Sequence, residues 1–390
     1  MMKQADSIII VGGGPVGAVL ALSLQQKGVA FTLLEARAKG ASHSDTRALA
    51  LSHGSRVILE KLNIWSEIEA QATAIKTIHI SQRGGFGRTK LEAAEHQLPA
   101  LGYVLPYGAL TKALDAALDL NHVLYEAHAT EVRQQPTMAE VFFKQADIEI
   151  SISSPLAVIA DGGRSLENIP NIERETKDYG HDALVSKVKT ELPHANVAYE
   201  RFTPTGPMAL LPNGQSAGSH EFSLVWTGEK SKIDDLMALD DTAFLKALHT
   251  AFGDRVGQFL SIQKRNRFPL KLSTLKSGVI PHVAIIGNAA QTMHPVAGQG
   301  FNVGLRDAEM LAKLLTSAPK NQCGSESMLQ EYQKQRARDA RGSLKFTDGL
   351  LELFSNDLIG VSGARGFGLG ALSMLKPARE FLVGKMSYGK

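Results

Sequence analysis

Ser7 to Val11 reads as one strand, apolar without a break from Ile8, the pattern of a strand buried on both faces. Gly12-Gly13-Gly14-Pro15-Val16-Gly17 follows as a turn, and Ala18 to Lys27 are good helix formers ended by Gly28. A second strand, Ala30 to Leu34, closes on Glu35, so the chain opens as β-α-β. Between Arg47 and Ile64 the spacing of Leu51, Ile58 and Leu62 predicts a helix. Residues 76–105 alternate and carry Gly84, Gly85 and Gly87, which predicts strands and hairpins. Leu110 to Leu118 reads as a helix, and residues 123–160 as strands ending in Ala157-Val158-Ile159-Ala160-Asp161-Gly162.

The character changes between about 175 and 275. Runs such as Ala183 to Lys189, Met208 to Leu211 and Phe222 to Trp226 are β-type, with one helix at about 240–252. A buried strand, Val283 to Ile286, then runs into Gly287-Asn288 and a loop containing Pro295, Gly298 and Gly300. Helices are predicted over 302–316 and 327–357. The fold class is α/β (α+β overall). Residues 1–75, 101–175 and 276–390 form a discontinuous Rossmann-like domain, with C-terminal helices from about 327. Residues 76–100 and 176–275 form an inserted antiparallel sheet domain.

Composition narrows the function by exclusion. The chain has 390 residues, 44% hydrophobic and 21% charged, which suits a globular protein with room for two domains. A net charge of +3 is too small to argue for nucleic acid. No apolar run approaches the roughly 18 residues of a membrane span, and the N-terminus lacks the pattern of a secretory leader. Cys323 is the only cysteine, which rules out an internal disulfide and a thiolate metal cluster and fits a cytoplasmic setting. No other metal-ligand cluster and no Ser-His-Asp arrangement stands out.

The chemistry lies in three segments. Gly12-x-Gly14-x-x-Gly17 sits between a strand and a helix, with Glu35 closing the next strand. The first glycine permits the tight turn, the second lets backbone approach a diphosphate, and the third lets helix and strand pack. The helix N-terminus, with Pro15 at its start, offers N–H groups to phosphate. Glu35 can accept from ribose hydroxyls, and its charge opposes a 2′-phosphate. Asp161 can hold a ribose or ribityl hydroxyl or cap the following turn, and Arg47 can pair with phosphate oxygens or simply face solvent.

Together these segments resemble the signatures of FAD-dependent aromatic hydroxylases, a group similar in fold to p-hydroxybenzoate hydroxylase. The resemblance is carried by the glycine fingerprint with Glu35, by Ala160-Asp161-Gly162-Gly163-Arg164-Ser165, and by Gly287-Asn288 leading to His294-Pro295-Val296-Ala297-Gly298-Gln299-Gly300-Phe301-Asn302. The last segment, through Arg306-Asp307, is similar to the hydroxylases of ubiquinone biosynthesis. Ser44 to Ser52, Ile78 to Gly85 and Tyr199 to Pro212 are similar to the branch acting on 2-octaprenyl-6-methoxyphenol.

The resemblance implies FAD as cofactor, NAD(P)H as a transient reductant and O2 as co-substrate, with oxygen transferred through a flavin C4a-hydroperoxide to a lipophilic polyprenyl phenol. It implies that Gly12, Gly14, Pro15, Gly17, Glu35, Arg47, Lys112, Asp161 and Asn288 hold the cofactor. Gly298, Gly300, Phe301 and Asn302 would run beside the flavin ring, with His294, Pro295 and Gln299 at the reacting centre. Asn288 stands where relatives commonly carry aspartate, and Lys112 departs from the usual arginine or glutamine. Tyr199, Phe202, Met208, Leu210 and Trp226 are expected to roof the substrate ring. A membrane-resident substrate implies a peripheral site on the membrane's inner face and contacts with other ubiquinone-biosynthesis proteins, with homo-oligomerisation left open. From Arg336 onward nine Lys/Arg face five Asp/Glu, and Leu344, Leu351, Phe354 and Leu358 recur at helical spacing before the glycine-rich Gly360 to Leu375. That tail suits either an anionic surface or packing on the FAD domain. Rival readings are another flavin oxidoreductase (a dehydrogenase, an oxidase or a prenyl reductase) and a non-catalytic scaffold of the quinone-synthesis assembly.

Overall fold

The computed structural model describes residues 3–4, 7–83, 88–166, 169, 172–203, 205–292, 299–339 and 376–388. The opening β-α-β forms as the pattern requires. Ile8–Val11 and Phe31–Glu35 pair in parallel, and the helix Pro15–Gln26 crosses between them. Ala157–Ile159 and Val283–Ile285 extend the parallel sheet on one side and Val123–Tyr125 on the other. Val279–Ile280 closes one edge antiparallel. Its strands are mostly apolar because both faces are covered, one by the helices Pro15–Gln26 and Gln299–Ser317 and the other by a small, mostly antiparallel sheet.

A larger sheet places Asn266–Leu275, Arg174–Thr190, Glu221–Glu229, Gly206–Asn213, Val197–Thr203, Thr77–Gln82 and Arg88–Glu92 side by side. Strands from residues 77–92 and 174–275 thus share one layer, although the chain visits them far apart. Two helices, Lys230–Ala238 and Asp241–Phe252, pack on one face; only the second was expected from the sequence. The other face packs against a third sheet, Ala48–Ser52, Gly102–Pro106 and Thr73–Ile75, and against the helix Lys376–Tyr388.

The predicted helix over 47–64 is corrected. Ala48–Ser52 is a strand paired with Gly102–Pro106, and the helix begins only at His53, capped by the Ser52 hydroxyl accepting from Ser55 N–H. A long-range partner overrides the helix preference of Ala and Leu here. Residues 326–339 are helical; the rest of the predicted 327–357 helix and the Gly360 to Leu375 segment lie outside the described residues. The C-terminal helix buries Leu382, Val383 and Ser387 against the body, while Phe381 stays exposed.

Candidate active site

A cleft of about 600 Å³ opens where Ile8–Val11, Phe31–Glu35 and Ala157–Ile159 reach their C-terminal ends. Open parallel sheets place ligands at this edge. The glycines serve it in different ways. Gly12 has φ +104°, and a Cβ there would lie 2.6 Å from the Asp161 backbone. A Cβ on Gly17 would lie 1.9 Å from the Gly12 carbonyl oxygen, so helix and strand meet only because neither residue has one. Gly14 has no heavy atom within 4 Å of its would-be Cβ and faces the open cleft.

The helix start is polarised toward that space. Gly14 is the N-cap and supplies no side-chain acceptor, Pro15 follows, and the first turn holds no acidic residue. Its N–H groups are left for a ligand. Arg37, Arg47 and Arg164 also line the cleft. Unsatisfied N–H donors, a helix dipole and three guanidinium groups around a glycine-floored channel fit the diphosphate of a dinucleotide such as FAD.

Glu35 is 7% exposed at the far end. Its Oε2 accepts from Gly13 N–H at 2.8 Å, and its Oε1 accepts from Arg37 N–H and Nε, both at 2.8 Å. Burial pulls its pKa upward, but these bonds and the Arg37 charge outweigh burial and hold the carboxyl below its usual value. It is therefore a carboxylate at neutral pH, with Arg37 as its counter-ion. Arg37, Tyr107, His128 and Arg164 line the cleft without having been picked out as site residues from the sequence. The acidic residue two places before Arg37 was the available signal.

The other expected cofactor residues divide. Arg47, paired with Asp45 (Nε–Oδ2 2.8 Å) and lying over the Tyr107 ring at 5.1 Å, lines the cleft, as do Asn288 and Phe301. Asp161 also lines it but spends its oxygens on its own turn, accepting from Gly163 N–H, Ser165 N–H and Ser165 Oγ–H at 2.7–2.8 Å. Lys112 is exposed on the helix Tyr107–Ala117 and does not border the cleft. Asn302 departs from the expectation too. It is 2% exposed, its Oδ1 accepts from Ser52 N–H (2.8 Å) and Ser55 Oγ–H (2.7 Å), and its Nδ2 donates to Ala50 O (3.0 Å). The amide thus ties the helix Gln299–Ser317 to the strand Ala48–Ser52. Gln299 and Gly300 open that helix; His294, Pro295 and Gly298 lie outside the described residues.

The expected substrate roof is out of phase by one residue. Tyr199, Met208, Leu210 and Trp226 lie on the sheet face packed under Phe244, Leu248 and Phe252, where they build a closed core. Phe202 sits on the opposite face with Ile78, Ile80 and Leu382. That second face also packs on Ala48, the neighbour in sequence of cleft-lining Arg47. In register across it run Ile80, Glu200, Ala209, Val225 and Val185. The last four are only half-buried, unlike the residues of the helix-covered face. Adjacent strands are about 4.8 Å apart. The row from Glu200 to Val185 therefore spans about 14 Å, enough for an aromatic ring and the start of an alkyl chain. Burial pushes the Glu200 carboxyl up to about 8.

Among the described residues no cluster of His, Cys, Asp and Glu could hold a metal ion, and no helix is long and apolar enough to cross a membrane. Comparison with known proteins agrees with the cleft. Residues 5–347 match the FAD binding domain family. The chain is 32% identical to the ubiquinone hydroxylase UbiL of Rhodospirillum rubrum, over 98% of this chain and 89% of that one. It is 29% identical to the 3-demethoxyubiquinol 3-hydroxylase of Escherichia coli, over 95% of each. In fold it superposes on p-nitrophenol 4-monooxygenase PnpA of Pseudomonas putida with a TM-score of 0.80 over the whole of both chains, at 16% identity. It also superposes on pqsL of Pseudomonas aeruginosa with a TM-score of 0.76, at 19% identity, over 95% of this chain and 100% of that one. The chain therefore belongs to the FAD binding domain family, and within it to the FAD-dependent aromatic hydroxylases of ubiquinone biosynthesis.

Proposed function

We propose that this enzyme hydroxylates the aromatic ring of a polyprenyl phenol, taking electrons from NAD(P)H and one oxygen atom from O2. The observation that carries the reading is the adjacency of two features, joined through the neighbouring residues Arg47 and Ala48. A cationic, glycine-floored cleft fits FAD, and beyond Arg47 and Ala48 lies a sheet face whose half-buried row is apolar apart from Glu200. Bound FAD supplies the redox chemistry and the activation of oxygen.

The chain's own residues bind and orient. Gly12, Gly14, Pro15 and Gly17 let the helix N-terminus meet the diphosphate. Glu35 takes the adenosine ribose, Arg47 the diphosphate, and Asn288 the ribityl end, where an amide can both donate and accept. The family resemblance assigns the motif residues His294, Pro295, Gly298 and Gly300 to the flavin ring, and Asn302 anchors the helix Gln299–Ser317. Ala209, Val225 and Val185 offer the phenol ring and its alkyl tail a dry surface that excludes water. No second glycine fingerprint appears, so the nicotinamide nucleotide binds transiently. A substrate this apolar brings the enzyme to a membrane surface and to neighbouring enzymes of the same synthesis.

Removal of the protein from its host, followed by mass spectrometry of lipid extracts, tests the proposal. A polyprenyl phenol lacking one ring hydroxyl should accumulate. Undiminished quinone with no such intermediate would count against it.

A further inference from the structure

We propose that Glu200 is the acid–base residue of this site, its carboxylate taking the phenolic proton of the bound substrate. The inference rests on the reading above and adds a residue role to it. Glu200 shares its sheet face with Ala198, Phe202, Ala209 and Leu211, the face turned toward Ala48 and the C-terminal helix. It is the polar member of the row Ile80, Glu200, Ala209, Val225, Val185. Among the described residues its carboxyl has no hydrogen-bond or ion-pair partner, and the residue is half-buried, so part of it stays within reach of a ligand. An unpaired carboxyl at such a depth costs stability, which natural cores avoid unless the group has work to do.

The surrounding charges leave it alone. On its own strand Arg201 points to the other face, donating to Ser81 Oγ and Ala251 O. His79 of the adjacent strand stacks near Tyr199 on that same far face. On the C-terminal helix Arg379 pairs with Glu95, and Lys385 lies over the Phe381 ring. Arg47 is held by Asp45. Burial is accordingly the sole cause of the upward shift to about 8. An ordinary carboxylate is about six units more acidic than a phenol, too weak a base to hold its proton. The Glu200 carboxyl is much closer to a match, which favours proton transfer near neutral pH.

The step balances without any redox change. The phenol O–H bond breaks, a carboxyl O–H bond forms, and the electron pair stays on oxygen. Negative charge then spreads to the ortho and para ring carbons, making one of them the better acceptor of oxygen.

The test uses the FAD-loaded full-length protein and a short-chain 2-prenyl-6-methoxyphenol as probe, from pH 6 to 10. For the wild type, kcat should rise about tenfold per pH unit and level near 8, and bound probe should show phenolate absorbance. Glu200→Gln should lose that limb and the phenolate signal, with kcat down by about 10²–10⁴-fold and KM and FAD content little changed. Glu200→Asp keeps a titrating group and should keep a weakened limb, a result that a merely structural glutamate would not give. A Glu200→Gln enzyme with the wild-type limb and phenolate signal overturns the inference alone, as does a Glu200→Asp enzyme without any limb. A wild-type enzyme that carries FAD but hydroxylates no prenylated phenol overturns the underlying reading as well.

Discussion

Alanine at Gly17 and at Gly14 should fail in different ways. At Gly17 the added methyl would sit 1.9 Å from the Gly12 carbonyl oxygen. Ordinary carbon–oxygen contact begins near 3.4 Å, so helix and strand must separate by about 1.5 Å. The obstacle is backbone, and Gly12 also donates to Leu34 O at 2.8 Å, so the strand end cannot give way alone. Overpacking of this kind costs about 3 kcal/mol or more, a large share of a typical 5–15 kcal/mol. At Gly14 a methyl meets nothing within 4 Å, and the backbone (φ −62°, ψ 171°) suits any residue. Its penalty for the empty protein is below about 1 kcal/mol, from the poorer N-cap. That methyl would nevertheless stand in the cleft and push a diphosphate off the helix N-terminus, weakening FAD by about 10–100-fold. Urea unfolding of the apoproteins and FAD titration by flavin fluorescence separate the two effects. The reasoning fails if the apoproteins are equally destabilised, or if Gly14→Ala binds FAD like the wild type.

Asn302→Ala strips partners from the Ser52 N–H and the Ala50 carbonyl, and should cost about 3–5 kcal/mol in unfolding free energy; a loss under about 1 kcal/mol would deny its bridging role. Trp226→Ala should cost about 3–5 kcal/mol of stability, whereas Val225→Ala, one residue away on the other face, should mainly raise KM for a prenylated phenol; the reverse assignment would refute the strand phase. Glu200 also links stability to pH. Its folded-state pKa, about 8, lies above the unfolded value, so the folded protein keeps a proton that the unfolded chain releases. Its contribution to stability should be greatest below the unfolded pKa and fall as pH rises toward 8. The full shift sets a ceiling of about 5 kcal/mol, and the residue's remaining exposure reduces it to about 1–3. Glu200→Gln should therefore gain over the wild type at pH 8.5 and not at pH 4.5 in urea melts; equal differences at both pH values would contradict the assignment.

The sequence was most legible where local rules act alone. The turn at Gly12 to Gly17 and Glu35 announced the cleft, because tight turn, helix start and strand-end carboxylate fall within one β-α-β unit. Phase within the large sheet was not legible. Met208, Leu210 and Trp226 alternate with Ala209, Leu211 and Val225, and both sets are apolar because both faces are covered. Bulk pointed to the wrong set: Tyr199, Met208, Leu210 and Trp226 fill the closed core under the helices, while the half-buried row on the other face holds Ala209, Val225, Val185 and the Glu200 carboxyl. Ala48–Ser52 was misread because its strand partner, Gly102–Pro106, lies far along the chain. Asn302 was placed on the cofactor because its motif adjoins the flavin loop, but its amide bonds the Ala48–Ser52 strand, a contact that only the assembled fold reveals.

Mass spectrometry of the product formed under ¹⁸O₂ tests the central claim most directly. Purified FAD-loaded enzyme, NADH or NADPH and a prenylated methoxyphenol should yield a ring-hydroxylated product carrying one ¹⁸O atom, with about one NAD(P)H consumed per product. NAD(P)H oxidation that yields only hydrogen peroxide, or a product whose new oxygen comes from water, would contradict the account.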